Sequence, residues 1–316
     1  MITGAAGQDG SYLAELLLGH GYEVTGVVRA TEEHPENLSA VRDRVELTSV
    51  DLLDATAVAE VLRAHRPHEV YNLASPSFVP ASWEQPVVTA EFAAVGVTSL
   101  LEAIRAVDPS IRFYQASSSE IFGDPADVPQ TEATPLAPVT PYGVAKAYGH
   151  FIVRSYRRRY GLHASCGILY NHESPRRPRE FLPSKVAHAA AAIAFGRENE
   201  VVLGDLDAER DWGYAADYVE AIWLMLRQDV PADYVVASGE LHSVRELVEL
   251  AFAHVGLEWR AHVRVDESLK RGAAELHRLV GDASNARARL GWKPRVGFEQ
   301  LVRLLVDAAR ERLTSS

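Results

Sequence analysis

A single cysteine, Cys166, leaves the 316-residue chain no partner for an internal disulfide and no thiolate set for zinc. Positive charge is also short: 32 Lys and Arg against 43 Asp and Glu give a formal net charge of −11. No Lys/Arg stripe offsets that balance, which argues against nucleic acid as a partner. The twelve histidines fall in no His-Glu-x-x-His or other tight ligand spacing, so no metal is expected. His65 and His68 sit in a polar helix-ending stretch and read as solvated. Long hydrophobic runs are missing too. The most apolar, Ala187 to Phe195, is alanine-rich and too short to cross a bilayer, and nothing resembles a signal peptide. A soluble, cytoplasmic protein with no membrane partner is expected, without internal repeats or low-complexity linkers.

What the chain has instead is a regular alternation of strand and helix patterns. Met1-Ile2-Thr3 reads as a very short strand, either truncated or continued upstream, that runs into Gly4-Ala5-Ala6-Gly7-Gln8-Asp9-Gly10 and an apolar helix from Ser11 to Leu18. Glycines in such a turn let backbone amides and the positive helix end approach a pyrophosphate. Strands are expected at Tyr22 to Val28, Val45 to Val50, Val70 to Leu73, Arg112 to Ala116 and Ala164 to Leu169. Helices are expected at Ala55 to His65, Val87 to Ala106 and Pro141 to Tyr160. This is an α/β pattern, a Rossmann-type doubly wound parallel sheet that binds ligands outside the carboxyl ends of its strands.

Asp51, the Leu73 to Ser77 segment and Ser117 to Glu120 fall at such ends. At the end of the second strand Arg29 stands where an acidic residue would bond the ribose of NAD; an arginine suits a 2′-phosphate and favours NADP. Residues 1–170 are assigned to the dinucleotide-binding domain, and 214–240 return to it through a helix, Tyr214 to Leu226, and a strand, Tyr234 to Ala237. Residues 171–213 and 241–316 are assigned to a smaller substrate lobe. There Lys185 begins an amphipathic helix, Gly204 to Trp212 is a polar loop, and Ser243 with Glu246 makes a capping box for the helix Val244 to Val255.

Tyr142 and Lys146 lie four apart after Pro141, a residue suited to the first helical position, so both side chains should share one helix face. An ammonium beside the phenol would lower its pKa and make it a general base near neutral pH. Alone, the pair is common. Its position beside Ser118-Ser119-Glu120 at a strand end gives it a cleft to work in. Arginines in the stretches Asn171 to Arg177 and Arg210 to Trp212 suit a diphosphate, the plainer alternative being surface arginines paired with local acids.

With these residues in view, the chain resembles the GDP-mannose 4,6-dehydratases, members of the extended short-chain dehydrogenase/reductase superfamily, over nearly its whole length. The glycine triplet Gly4, Gly7, Gly10 and Tyr142-x-x-x-Lys146 are shared across the superfamily, including epimerases, reductases and decarboxylases of nucleotide sugars. More specific are Gly7-Gln8-Asp9-Gly10-Ser11-Tyr12-Leu13-Ala14-Glu15, Tyr170-Asn171-His172-Glu173-Ser174-Pro175-Arg176-Arg177, Leu206-Asp207-Ala208-Glu209-Arg210-Asp211-Trp212-Gly213, and the stretch Asp217 to Leu226. The chain departs from the family at Pro76 and Phe78, where many members have glutamine and histidine, and in the proline-bearing stretch Arg176 to Lys185.

The resemblance implies that Ser118 bonds the sugar O4, Glu120 is the C5 base, Tyr142 the C4-hydroxyl base, and Lys146 binds the ribose and tunes the tyrosine. For NADP it implies Gly4, Ala5, Ala6, Gly7, Gln8, Asp9, Arg29, Asp51, Leu52, Leu73, Ala74, Ser75, Ser77, His172 and Arg177. For a GDP-sugar it implies Asn171, Lys185, Arg210, Arg271 and Glu275. The implied reaction oxidises the sugar at C4, loses water across C5 and C6, and returns the stored hydride to C6, with no metal. Another NDP-sugar, or an epimerase, reductase or decarboxylase reaction, are the alternatives from the same fold. A non-catalytic NADP-binding regulator would be marked by loss of the tyrosine, lysine or glutamate, all of which are present. A homodimer or homotetramer is expected, the Val87 and Pro141 helices offering a face for dimer formation.

Overall fold

The computed structural model describes residues 1–31, 35–269 and 279–315. Seven parallel strands form the central sheet: β1 (Ile2–Thr3), β2 (Val24–Val28), β3 (Val45–Ser49), β4 (Glu69–Asn72), β5 (Arg112–Ser118), β6 (Ala164–Leu169) and β11 (Asp233–Val236). Their spatial order is β11-β6-β5-β4-β1-β2-β3. Chain order reverses between β1 and β4, and a parallel sheet of this kind opens its ligand crevice at such a reversal. Four short strands lie between β6 and β11: β7 (Asn171–Glu173), β8 (Val201–Leu203), β9 (Glu209–Arg210) and β10 (Trp212–Tyr214).

The short first strand is held from both sides, Ile2 pairing with Gly26 and with Tyr71. Helix α1 (Gln8–Gly19) follows, and it buries Leu13, Ala14, Leu17 and Leu18, an i, i+1, i+4, i+5 set on one helical face, against the sheet. Helix α2 (Ala55–His65) is capped by the Asp54 carboxylate, which accepts from Thr56 and Ala57. Helix α3 (Pro86–Val107) passes through a π turn at Glu91–Val95. It is long and apolar enough to cross a membrane, contrary to the expectation from sequence, but 56% of its apolar window is buried inside the protein against α2 and the helix described next. Helix α4 (Pro141–Tyr160) starts at a Thr140 cap with Pro141 in its first turn and stops where Gly161 turns left-handed.

A second core gathers α5 (Leu182–Ala194), Trp212, α7 (Val244–His254) and α9 (Phe298–Ser315) around Val186, Ala190, Leu247, Phe252, Leu301 and Val306. The helix between β10 and β11, α6 (Ala215–Arg227), and the short α8 (Ser284–Leu290) pack instead with the central sheet, where Tyr218, Ala286, Leu290 and Trp292 share one cluster with Ile2 and Leu13. The chain from 279 to 292 therefore returns to the first core.

Three local readings are corrected. Helix α5 begins at Leu182 rather than Lys185, since Phe181 is the extended residue before it and Pro183 suits its first turn. The 204–212 loop contains β9, which pairs antiparallel with β12 (His242–Ser243). His65 is not solvated: it is half-buried, 3.3 Å from the Glu46 carboxylate, whereas His68 is exposed. The capping box of α7 forms as expected from Ser243 and Glu246.

Candidate active site

At the carboxyl edge of the sheet a cavity of about 460 Å³ joins the glycine turn, the loop after β4, the end of β5, the start of α4 and the segments after β6. Gly4 makes the turn possible. It sits at φ +69°, and a Cβ there would lie 2.9 Å from the Ala74 nitrogen. Helix α1 then begins behind Gly7 with no side-chain cap, so its first amides face the cavity without a protein acceptor from a capping group.

On the far wall, the Ser118 hydroxyl accepts from the Glu120 amide at 3.3 Å and turns the chain so that Glu120 enters the cavity. Thr140, which caps α4, also reaches Glu120 Oε2 at 3.4 Å. Gly143 allows α4 this close, because a Cβ would meet the Glu120 carbonyl oxygen at 2.6 Å. Ser118, Glu120, Tyr142 and Lys146 thus line one wall, Tyr142 and Lys146 being buried.

The electrostatics of the pair differ from expectation. Burial pushes the Tyr142 phenol up to about 12, against a hydrogen bond with Ser118 and with the Glu120 charge adding to the rise. Burial also pushes Lys146 down to about 8, with Asp9 opposing. The ammonium does not lower the phenol because it points elsewhere: Lys146 Nζ donates to the Ala116 carbonyl at 3.1 Å and lies 5.6 Å from the centre of the Tyr142 ring. One acceptor leaves this ammonium two further protons to donate. Beside it, the buried Ser117 hydroxyl has no hydrogen-bond partner. An uncapped helix end, a part-satisfied ammonium and an orphaned hydroxyl suit a phosphate- and ribose-bearing group.

The opposite wall is a seam between α1 and β7. Gln8 donates to the His172 carbonyl at 3.1 Å and accepts from the Ser174 hydroxyl at 2.8 Å. Asp9 Oδ2 is 2.8 Å from His172 Nε2, while His172 Nδ1 is 2.7 Å from the Tyr170 carbonyl oxygen. Both ring nitrogens face acceptors, which fits the charged imidazolium. Burial would raise Asp9, but the charge and hydrogen bond of His172, with Gln8, hold it at about 2. Burial lowers His172 in turn, and Asp9 outweighs it, leaving the imidazole above its ordinary value.

Arg176 turns away from the cavity: it pairs with Glu15 at 2.5 Å, donates to the Ser11 hydroxyl at 3.0 Å and stacks on Tyr12 at 4.0 Å. For Arg176 the plain alternative of a local acid pair holds. Arg177 remains in the wall, with its guanidinium 3.6 Å over the Phe181 ring and its Nε 3.4 Å from Glu173.

Of the residues carried over by resemblance, Gly4, Gly7, Gln8, Asp9, Leu73, Ser75, Ser77, Asn171, His172, Arg177, Lys185 and Arg210 also line this cavity. Lys185 Nζ donates to the Val202 carbonyl at 2.7 Å. Ala5, Ala6 and Leu52 are buried and Ala74 half-buried, none of them in the lining, and Arg29 and Asp51 are exposed at the ends of β2 and β3. Arg271 and Glu275 lie outside the described residues. Reading the sequence missed Glu173, buried in the wall where desolvation raises its carboxyl, and the aromatic pair Phe78 and Phe181. The signals were available: Glu173 sits inside a specific motif, and both phenylalanines sit where the chain departs from the family pattern.

The family model described as GDP-mannose 4,6 dehydratase matches residues 1–305. The chain is 45% identical over 322 residues to GDP-mannose 4,6 dehydratase 1 of Arabidopsis thaliana, covering 97% of this chain and 88% of that protein. It is 43% identical over 344 residues to the Homo sapiens GDP-mannose 4,6 dehydratase, covering 100% and 92%. Among solved structures, a Thermus thermophilus UDP-glucose 4-epimerase in complex with NAD superposes with a TM-score of 0.85 at 29% identity, covering 98% of each chain.

Proposed function

The chain belongs to the GDP-mannose 4,6-dehydratase family, and from that premise we propose that it converts GDP-mannose to GDP-4-keto-6-deoxymannose, with NADP as the resident cofactor. The observation that carries this reading is the placement of Glu120, Ser118 and Tyr142 in one cavity with the uncapped start of α1. The nicotinamide, when bound, supplies a hydride acceptor and in its oxidised form a positive charge. The rest is done by the chain. Ser118 and Tyr142 hold the C4 hydroxyl, and Tyr142 takes its proton. The C4 ketone acidifies the C5 hydrogen, and the Glu120 carboxylate removes that proton and assists departure of the C6 hydroxyl as water. A carboxylate suits this step because the same group must accept one proton and deliver one. With its phenol at about 12 by burial, Tyr142 needs added positive charge nearby to act as the base.

NADP is chosen over NAD because Arg29 stands exposed at the end of β2, where an NAD site carries an acidic residue. Lys146 and Ser117 would hold the ribose, and Asn171, Lys185 and Arg210 the nucleotide sugar. A second copy of the chain would cover the exposed apolar face of α3 and α4, which carries Val87, Val95, Val144, Tyr148 and Phe151.

The deciding experiment offers a panel of nucleotide sugars without added cofactor and follows product mass. Loss of one water from GDP-mannose supports the reading. Loss only from another nucleotide sugar keeps the chemistry and changes the substrate, and no loss from any of them overturns it.

A further inference from the structure

Two segments far apart in sequence meet across this cavity. Phe78, from the loop after β4, and Phe181, the residue before α5, set their rings edge to face, with centroids 5.4 Å apart and planes at 76°. The Arg177 guanidinium lies 3.6 Å over the centre of the Phe181 ring, and its Nε is 3.4 Å from the buried Glu173 carboxylate. All four side chains line the cavity that holds Ser118, Glu120 and Tyr142. An edge-to-face pair and a cation over a ring both attract beyond their buried area.

Prolines flank each contact: Pro76 and Pro80 around Phe78, Pro178 and Pro183 around Phe181. Each removes backbone freedom that the loop would otherwise lose when the rings meet. The second loop is pinned further by Ser184, which donates to the Arg177 carbonyl at 3.0 Å, and by the Phe181 amide, which donates to the Pro178 carbonyl at 3.2 Å. The two loops are therefore stiff arms joined by one aromatic contact.

The proposed reaction gives such a contact work to do. Breaking the C4–H bond would pass a hydride to a bound nicotinamide and the hydroxyl proton to Tyr142. The hydride must then return to C6 of the same sugar. A sugar that leaves at the ketone stage strands the enzyme with a reduced cofactor and no acceptor.

We propose that Phe78 and Phe181, backed by Arg177 and Glu173, form a clasp that closes the cavity and keeps the ketone-stage sugar with its cofactor until the hydride is returned. The clasp rests on the dehydratase reading above. It makes the two phenylalanines positioning residues, since neither donates nor accepts a proton.

The test compares wild type, Phe78→Ala, Phe181→Ala and the milder Phe181→Leu, all loaded with NADP⁺ and given GDP-mannose. Product mass is followed alongside the fluorescence of reduced nicotinamide. Expected is about tenfold more reduced cofactor at steady state in the alanine variants, equivalent to about 1.4 kcal/mol. Their activity should fade during turnover and recover when oxidised cofactor is added. Phe181→Leu should fall between them and wild type, and it carries the test with Phe78→Ala if Phe181→Ala fails to fold. Variants that lose kcat or gain KM while reduced cofactor stays at the wild-type level would overturn the clasp alone. Failure of wild type to release water would overturn the clasp together with the reading beneath it.

Discussion

Along the seam between α1 and β7, polar side chains are spent on one another: Gln8 on His172 and Ser174, Asp9 on His172, Arg176 on Ser11 and Glu15. On the facing strip the reverse holds. The Ser117 hydroxyl is buried without a partner, Lys146 makes one carbonyl contact, and burial displaces both Tyr142 and Lys146 from their ordinary pKa values. A fully paired seam fixes geometry and has little capacity left for a ligand. An under-satisfied strip costs stability and gains it back when something binds. The specific motif residues Gln8, Ser174 and Arg176 therefore read as positioning groups that hold the segment after β6 against the glycine turn, leaving the less specific Tyr142 and Lys146 to meet the ligands.

The contrast can be broken at several points. On the strip, Glu120→Gln should lower the rate of water loss by on the order of 10³-fold, about 4 kcal/mol in the barrier, with cofactor affinity little changed. Product mass and a cofactor titration check this, and normal turnover would end the assignment of Glu120. Tyr142→Phe should cost roughly 10²-fold in the same assay without lowering Tm.

On the seam the ranking of effects inverts. Asp9→Asn leaves a buried imidazolium without its carboxylate and should destabilise the fold by about 2 to 3 kcal/mol, read as a fall in Tm. Its pH dependence follows from the two shifts. Asp9, depressed to about 2, contributes stability that is present above its unfolded value near pH 4 and is lost as pH falls through about 2. His172, raised above 6.5, contributes stability that is full below its unfolded value and is lost as pH rises through its folded one. The Tm gap between wild type and Asp9→Asn should thus be widest at about pH 5 and narrow in alkaline buffer; a gap that is flat with pH would remove the charged pair from the account. Arg176→Ala, which breaks a partly exposed pair, should cost only about 1 kcal/mol.

Much of the fold was legible because alternation of apolar segments, glycine turns and caps acts locally. The α/β class shows in those local patterns, and the start of α4 at Pro141 and the capping box at Ser243 need only neighbours in the chain to form. The ends of helices were less legible. Whether α5 starts at Leu182 or Lys185 depends on Phe181, whose extended conformation is supported by contacts with Arg177 and Phe78 that no local pattern announces. The π turn in α3 and the pairing of β9 with β12 are likewise set by what lies across the gap.

By itself, then, the chain determined which residues were available: a glycine turn before a helix, a serine and glutamate at a strand end, and a tyrosine and lysine four apart, all dictated by short-range backbone geometry. The tertiary structure decided how each is used. It sent Lys146 to a carbonyl instead of the phenol, took Arg176 out of the cavity and joined Phe78 to Phe181, because burial and the direction of a side chain depend on partners distant in sequence.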